Sequence, residues 1–274
     1  MKYFTYTYGA WSDPGDQRPE NQDRILCCVG GKETETDPEL VNAGLFLVAD
    51  GMGGLAYGSQ VSAYAAEQFE AWWREDFSQM VQNGRTSEAD IKELLEQEIW
   101  DINNQIYAFK EREGCRCGST LSVLLLYGGN YYIENLGDSR IYRFRKSRLT
   151  QLTRDQSLAA QLVREKKLAP EDVECFPQKH VLTMCLGMFP VPRSEFETGK
   201  LEEGDIFLLC SDGLFGYTKE ESIENRLVDF HNLRNLEQYN LENLAAWLRA
   251  LIPAGEAGDN VSFIVTEITK SKFN

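Results

Sequence analysis

Residues 119–145, STLSVLLLYGGNYYIENLGDSRIYRFR, hold two short apolar runs on either side of Gly128-Gly129-Asn130, and a third run after Gly137-Asp138-Ser139. Each run is strand-length, and the double glycine between the first two reads as a tight hairpin turn. A turn this short forces its neighbours antiparallel, because a parallel pair needs a crossover of a dozen residues or more. The pattern extends outward: KSR (146–148) is another tight turn, leading into LTQLT. KYFTYTYGA (2–10) alternates as a strand does, and RILCCVG (24–30) reads as a second strand. SEFETGKL, IFLLC and VSFIVTEI supply further strands after residue 193.

Helical periodicity falls between these strands. Val61, Ala65, Phe69 and Trp72 make one apolar stripe. Ser87 with Asp90 is close to a capping box, opening a helix whose face is Ile91, Leu94, Leu95, Ile99, Ile102, Ile106 and Phe109. A polar helix is expected from about Asp155, one capped by Thr218 with Glu221, and one from Asn240 to Pro253. Residues 169–193 are irregular and proline-rich. The order is strands, helices, strands, helices, strand. It predicts an α+β fold of antiparallel sheets covered by helices, not a doubly wound parallel sheet. No fixed-period repeat or low-complexity linker interrupts the 274 residues, so 1–274 reads as a single domain.

Lysine and arginine total 28 against 43 acids, a net charge of −15, which argues against nucleic acid or anionic lipid as a partner. Seven cysteines, an odd number without a CxxC pair, fit reduced thiols better than a disulfide framework or a zinc site. The N-terminal stretch has no signal-type apolar core, and no span is long enough to cross a membrane. The expectation is a cytoplasmic protein.

Two strands end alike. GLFLVADGMGG (44–54) and IFLLCSDGLFG (206–216) each run five apolar residues toward Asp-Gly. Gly51 to Ala56 also fits G-x-G-x-x-A, the dinucleotide fingerprint in form, but Asp50 beside that turn would repel a pyrophosphate. Asp138 and Asp259 likewise adjoin glycine, making four such aspartates with Asp50 and Asp212. Asp-Gly is common turn chemistry, and one alone would mean little. Two at the ends of buried strands place carboxylates at the rim of a core. Converging carboxylates repel by about 4 kcal/mol at 4 Å and an effective dielectric near 20. Such a cluster needs protons or cations. With two histidines in the chain, an oxygen-only site selects Mg²⁺ or Mn²⁺. A pair of such ions can activate water for in-line displacement at phosphorus.

At this point the sequence resembles the metal-dependent Ser/Thr protein phosphatases of type 2C, the PPM family, in compact bacterial form. RPENQDR (18–24), VADGMGG (48–54), CGSTLSVLLL (117–126) and NLGDSRIYRFR (135–145) match the family's motifs in order. LTRDQSL (152–158), VLTMCLG (181–187), LLCSDGLFGY (208–217) and GDNVSFIV (258–265) complete the series. The resemblance implies a four-layer α-β-β-α sandwich and hydrolysis of phosphoserine and phosphothreonine by a metal-bridging water. It implies two tightly bound Mn²⁺ or Mg²⁺ ions, with a third, weaker one. Asp50 would bridge the pair and the Gly51 carbonyl would ligate one ion. Asp212 and Asp259 would hold the other, and Asp138 the third. Arg18 would clamp the phosphate. Asp23, Gln22 and Asn260 would support the ligands, Asn260 by orienting Asp259, and residues 155–185 would contain a flap beside the site. The implied partners are phosphorylated proteins and the Ser/Thr kinases opposed, with the chain a monomer.

Gln22, Met52, Leu55 and Gln156 depart from the family pattern. Gln22 replaces a usual Glu, Met52 replaces the eukaryotic leaving-group histidine, and Leu55 and Gln156 stand where bacterial relatives carry histidine. None removes an implied ligand, so the chain is read as an active enzyme. A phosphatase-fold binding protein with weak or lost catalysis is the alternative, and a two-metal nuclease is disfavoured by the charge. Arg140 and Arg143 read as one polar strand face, Trp72 and Trp73 as core and rim, and His180 and His231 as ordinary polar residues.

Overall fold

The computed structural model describes residues 4–30, 42–53, 57–233 and 240–270. Three strands come first: β1 (Phe4–Asp13), β2 (Asp23–Val29) and β3 (Gly44–Met52). Helix α1 (Tyr57–Trp72) passes through a π-type turn (Trp73–Phe77) into α2 (Ser78–Gln82), and α3 (Glu88–Glu113) runs back. Five strands follow, β4 (Gly118–Ser119), β5 (Leu121–Tyr127), β6 (Asn130–Leu136), β7 (Arg140–Arg145) and β8 (Arg148–Gln151), with β5–β6 and β7–β8 as hairpins and the 137–139 turn crossing between sheets. After α4 (Leu158–Arg164) and a 3₁₀ turn (Pro170–Cys175) come β9 (Glu195–Lys200), β10 (Ile206–Cys210), α5 (Asp212–Phe215), α6 (Glu220–Asn232), α7 (Leu241–Arg249) and β11 (Val261–Lys270).

One sheet has the order β1-β11-β10-β7-β8, the other β2-β3-β5-β6-β9 with β4 on the end of β3. Every strand pairing is antiparallel, which removes the dinucleotide fold. Turn chemistry sets the hairpins. Gly128 and Gly129 both take positive φ, and so do Lys146 and Ser147, the geometry that matches strand twist in a two-residue turn.

Alternation along each strand then divides the core. Phe46, Val48, Leu124, Ile133, Phe207, Leu209 and Ile264 fill the space between the sheets. Leu45, Leu47, Val123 and Leu125 face the other way, against Phe69 and Trp72 of α1 and Ile99 and Ile102 of α3. Leu208, Phe263 and Val265 meet Leu227 of α6 and Leu244 and Leu248 of α7. The result is the expected four-layer sandwich.

Several local expectations shift. Ser87 and Asp90 do form a reciprocal capping box. Thr218 caps nothing: α6 starts one residue later, with Lys219 at its N-cap and no side-chain bond there. A hydroxyl one position too early cannot reach the first-turn amides. The polar helix begins at Leu158, capped by Ser157, and ends at Arg164. Arg140 and Arg143 lie on opposite faces, as residues three positions apart on a period-two strand must. Arg140 shares the face of Tyr142, whose hydroxyl it reaches, and Arg143 sits over the Tyr131 ring between the sheets. Trp72 and Trp73 are both buried, each stacked on Phe77.

Candidate active site

The same alternation that buries Phe46 and Val48 points Asp50 into the inter-sheet space, at its open end. On β2, Ile25 and Cys27 face that space, so Asp23 does too. The register pairs Asp23 directly with Asp50. Like charges opposite one another on adjacent strands weaken a sheet, so this pairing asks for a compensating cation or proton. Asp50 is fixed through its backbone: its N–H donates to Thr120 Oγ1 (2.9 Å), and its carbonyl accepts from Thr120 N (2.9 Å) and Ser119 Oγ (3.0 Å). Position 51 must be glycine, because a Cβ there would lie 2.2 Å from Gly58 O and 2.8 Å from Gln22 O.

The second sheet brings the remaining carboxylates. Asp212 opens α5 just past β10, and Asp259 stands just before β11, strands that are neighbours in the sheet. Asp138 projects from the turn between β6 and β7. Asp50, Asp138, Asp212 and Asp259 line one cleft of about 520 Å³ together with Arg18, Glu20, Gln22, Gly51, His180 and Asn260. Asp23 lies below its floor, 1% exposed. Asp23 Oδ2 accepts from Ser211 Oγ (2.8 Å), whereas buried Oδ1 has no hydrogen-bond partner. Arg18, with 54% of its side chain exposed, donates to Asp259 Oδ2 (2.9 Å).

Electrostatics follow from this crowding. Burial, reinforced by Asp23, Asp212, Asp138 and Asp259, raises Asp50 well above the ordinary carboxylate range. Burial first, then Asp212 and Asp259, pushes Asp23 up to about 7. Burial, with Asp212 and Asp155, pushes Asp138 up to about 7 as well. Asp212 is raised by burial and by Asp259. Among the described residues, no three His, Cys, Asp or Glu side chains stand close enough to chelate one ion by themselves. Carboxylates that stand apart leave room for the water ligands that small hard cations keep when bound. The unpartnered Asp23 oxygen, the mutual repulsion and the oxygen-only donors all fit such ions.

The family model for protein phosphatase 2C matches residues 21–249. The chain belongs to the protein phosphatase 2C family. It is 32% identical over 218 residues to the serine/threonine phosphatase stp of Listeria welshimeri, covering 79% of this chain and 81% of that one. The Streptococcus agalactiae serine/threonine phosphatase superposes with a TM-score of 0.81 at 25% identity, over 96% of this chain and 99% of that one. A structure of the PstP catalytic domain in complex with two manganese ions matches with a TM-score of 0.75 at 26% identity, over 97% and 99%. This chain is thus a metal-dependent Ser/Thr phosphatase of the 2C type, a hydrolase of phosphoric monoesters.

Within this phosphatase 2C site, some residues behave differently from the sequence expectation. The Asn260 side chain makes its hydrogen bonds away from Asp259. Its Oδ1 accepts from Gln22 N (2.8 Å), and its Nδ2 donates to Pro14 O and Glu20 O, so it ties down the segment carrying Arg18. The Asn260 backbone amide is what donates to Asp259 Oδ1 (2.9 Å). The Gln22 backbone carbonyl accepts from Gly51 N and Ser62 Oγ. Leu55 lies outside the described residues, and Met52 lines the cleft.

Two contributors escaped the sequence reading, and a third, Gln156, was noted only as a departure from the family pattern. His180, read as ordinary, stands on the cleft wall with Nδ1 3.8 Å from Asp212 Oδ2. Thr120 joins two acid-bearing turns, since its Oγ1 also meets Ser139 Oγ (2.7 Å) beside Asp138. Gln156 accepts from Gly137 N (2.9 Å) and donates to Arg193 O (3.2 Å). The available signal was hydroxyls interleaved with apolar residues at 119, 120 and 122, polar groups on an otherwise buried strand.

Proposed function

We propose that this cleft is the phosphatase centre and that its residues divide the labour as follows. Asp50, the Gly51 carbonyl, Asp212 and Asp259 would hold two divalent cations, and Asp138 would hold a weaker third. When bound, the cations supply Lewis acidity and an activated water for in-line attack at phosphorus. Asp23 and Gln22 hold the outer hydrogen bonds, and Asn260 holds the Arg18 segment in place. Arg18 receives the phosphate dianion. Its planar group carries five donors, so the bond to Asp259 leaves donors for two phosphate oxygens. Mn²⁺ or Mg²⁺ is the native metal, with two ions tightly held, in keeping with the two manganese ions of the PstP structure.

The observation that carries this reading is the convergence of four aspartates from four separate chain segments, with one arginine, on a single cleft. The substrates are phosphoserine and phosphothreonine proteins, including the kinases that made them. The chain works as a single-domain monomer in the cytoplasm, consistent with all seven cysteines being free thiols. Among the described residues no helix is long and apolar enough to cross a membrane. The test is hydrolysis of p-nitrophenyl phosphate and a phosphothreonine peptide with Mn²⁺, Mg²⁺ or EDTA. Turnover is expected with either ion and absent with EDTA, and full activity after exhaustive chelation would overturn the assignment.

A further inference from the structure

Beside the cleft, between α3 and β4, Cys115 and Cys117 flank Arg116. Their Sγ atoms are 3.5 Å apart, with Cys115 half-buried and Cys117 buried. The segment is wedged between two parts of the phosphatase site. On one side it abuts Gly53, three residues after Asp50: a Cβ on Gly53 would lie 2.3 Å from Arg116 O and 2.7 Å from Cys117 Cα. On the other side, Ser119 and Leu186 exchange backbone hydrogen bonds, and a Cβ on Gly118 would lie 2.7 Å from Leu186 O. Residues 51 and 52 also pair with 119 and 118 as strand partners. The pair of thiols therefore shares a rigid backbone frame with Asp50-Gly51 and with the return of the 155–185 excursion.

We propose that Cys115 and Cys117 are a reversible oxidation site, closing to a disulfide under peroxide and lowering phosphatase activity by shifting the Gly51–Gly53 backbone. The proposal rests on the cleft being the phosphatase centre. The chemistry balances in two steps. The Cys115 thiolate attacks one peroxide oxygen, so an S–O bond forms, the O–O bond breaks and water departs after protonation; sulfur is oxidised to the sulfenic acid and the peroxide is reduced. The Cys117 sulfur then attacks the Cys115 sulfur, the S–S bond forms, the S–O bond breaks and a second water leaves. Cys115 is the more accessible sulfur and takes the first step. Burial and the neighbouring Cys115 push the Cys117 thiol up to about 11, so its attack is slow and relies on the short distance to Cys115, while the nearby Lys110 ammonium counteracts part of that rise. A disulfide is about 2.05 Å long, so closure draws the sulfurs together by more than 1 Å. The backbone at 116–117 must absorb part of that movement, and Gly53 presses directly on it.

The experiment treats the reduced, full-length protein with hydrogen peroxide and follows three quantities. Thiols are alkylated and mapped by peptide mass, Mn²⁺ binding is measured by calorimetry, and turnover is measured on p-nitrophenyl phosphate. Two of the seven thiols should disappear into a Cys115–Cys117 link. Turnover should fall about tenfold or more, since ångström-scale misplacement of a reacting group costs up to a hundredfold. Manganese binding should weaken in parallel, and dithiothreitol should restore both. Cys115→Ser should stay active through the same treatment. The proposal is overturned if the link does not form, if a Cys117–Cys185 link forms instead, if the link leaves turnover and manganese binding unchanged, or if Cys115→Ser is inactivated equally. A reduced protein without phosphatase activity would sink the proposed function, while mapping and calorimetry would still judge the thiol pair.

Discussion

Thr120 shows how a neutral side chain can govern charged ones. Its hydroxyl accepts from Asp50 N and meets Ser139 Oγ, and its methyl faces the Gly137 turn that leads to Asp138. Valine has the same shape without the oxygen. Thr120→Val strands a buried N–H and a buried hydroxyl, at a cost of about 1–3 kcal/mol. At this chain length the melting temperature should drop roughly 2–4 °C per kcal/mol. Manganese affinity should fall about 10–100-fold, the range for losing an outer partner of a metal ligand. Thr120→Ser keeps the oxygen and should recover most of the manganese affinity. Calorimetry and thermal melts of both variants decide it, and equal manganese affinity in Thr120→Val and the parent would refute the role. Sequence reading found the acids because Asp-Gly after an apolar run is a local pattern. It passed over Thr120 and His180 because their partners lie in other segments, and no local pattern encodes who meets whom across a cleft.

Elements were legible wherever a local rule settles them. The Ser87–Asp90 box lies within four residues, and the hairpin turns at 128–129 and 146–147 are set by strand twist. The Thr218–Glu221 pattern has the same form and failed, since tertiary packing of Ile223, Leu227 and Phe230 fixes where α6 starts. The excursion from 155 to 185 is held at its base by Gln156. The Gln156 carbonyl accepts from Thr183 N and Oγ1, its N–H donates to Gly137 O, and its side chain spans Gly137 and Arg193. Gln156→Ala removes only the side-chain span. The sandwich should lose about 1–3 kcal/mol, the cost of leaving the buried Gly137 N–H without its acceptor. The excursion should open more often, so trypsin should cut faster after exposed Lys166 and Lys167. Cleavage rates indistinguishable from the parent's would remove Gln156 from this role.

Across the whole molecule, the acid cleft couples folding to cations and pH. In metal-free protein Asp23 and Asp138 hold protons up to about pH 7, whereas the unfolded chain releases them near pH 4. Between those values the folded state binds more protons, so their contribution to stability is full below about pH 4 and is lost as pH rises through 7. With EDTA, the melting temperature should be lower at pH 8.5 than at pH 5.5, and saturating Mn²⁺ should shrink that gap. General repulsion from the net charge of −15 acts in the same direction, so Asp23→Asn is the control. It removes the buried charge and should narrow the gap measured in EDTA. A gap of equal size in that variant would show that surface charge alone causes it. Antiparallel sheets covered by helices were legible from strand and helix order and the four-layer sandwich from the family resemblance, but the Asp23–Asp50 pairing from neither, because register arises from long-range assembly.

The placement of β11 has a further consequence for how the protein is made. It is the last described strand, yet it lies inside its sheet between β1 and β10, pairing with β1 from Phe4–Lys270 to Asp13–Val261. Asp259 and Asn260 sit at its threshold. A ribosome therefore delivers Arg18, Asp23 and Asp50 long before Asp259, and the cleft cannot assemble until β11 has been made. Contacts so distant in sequence form slowly. On the proposed assignment, a nascent chain that has not yet made β11 lacks Asp259 in the cleft and cannot hydrolyse phosphoproteins.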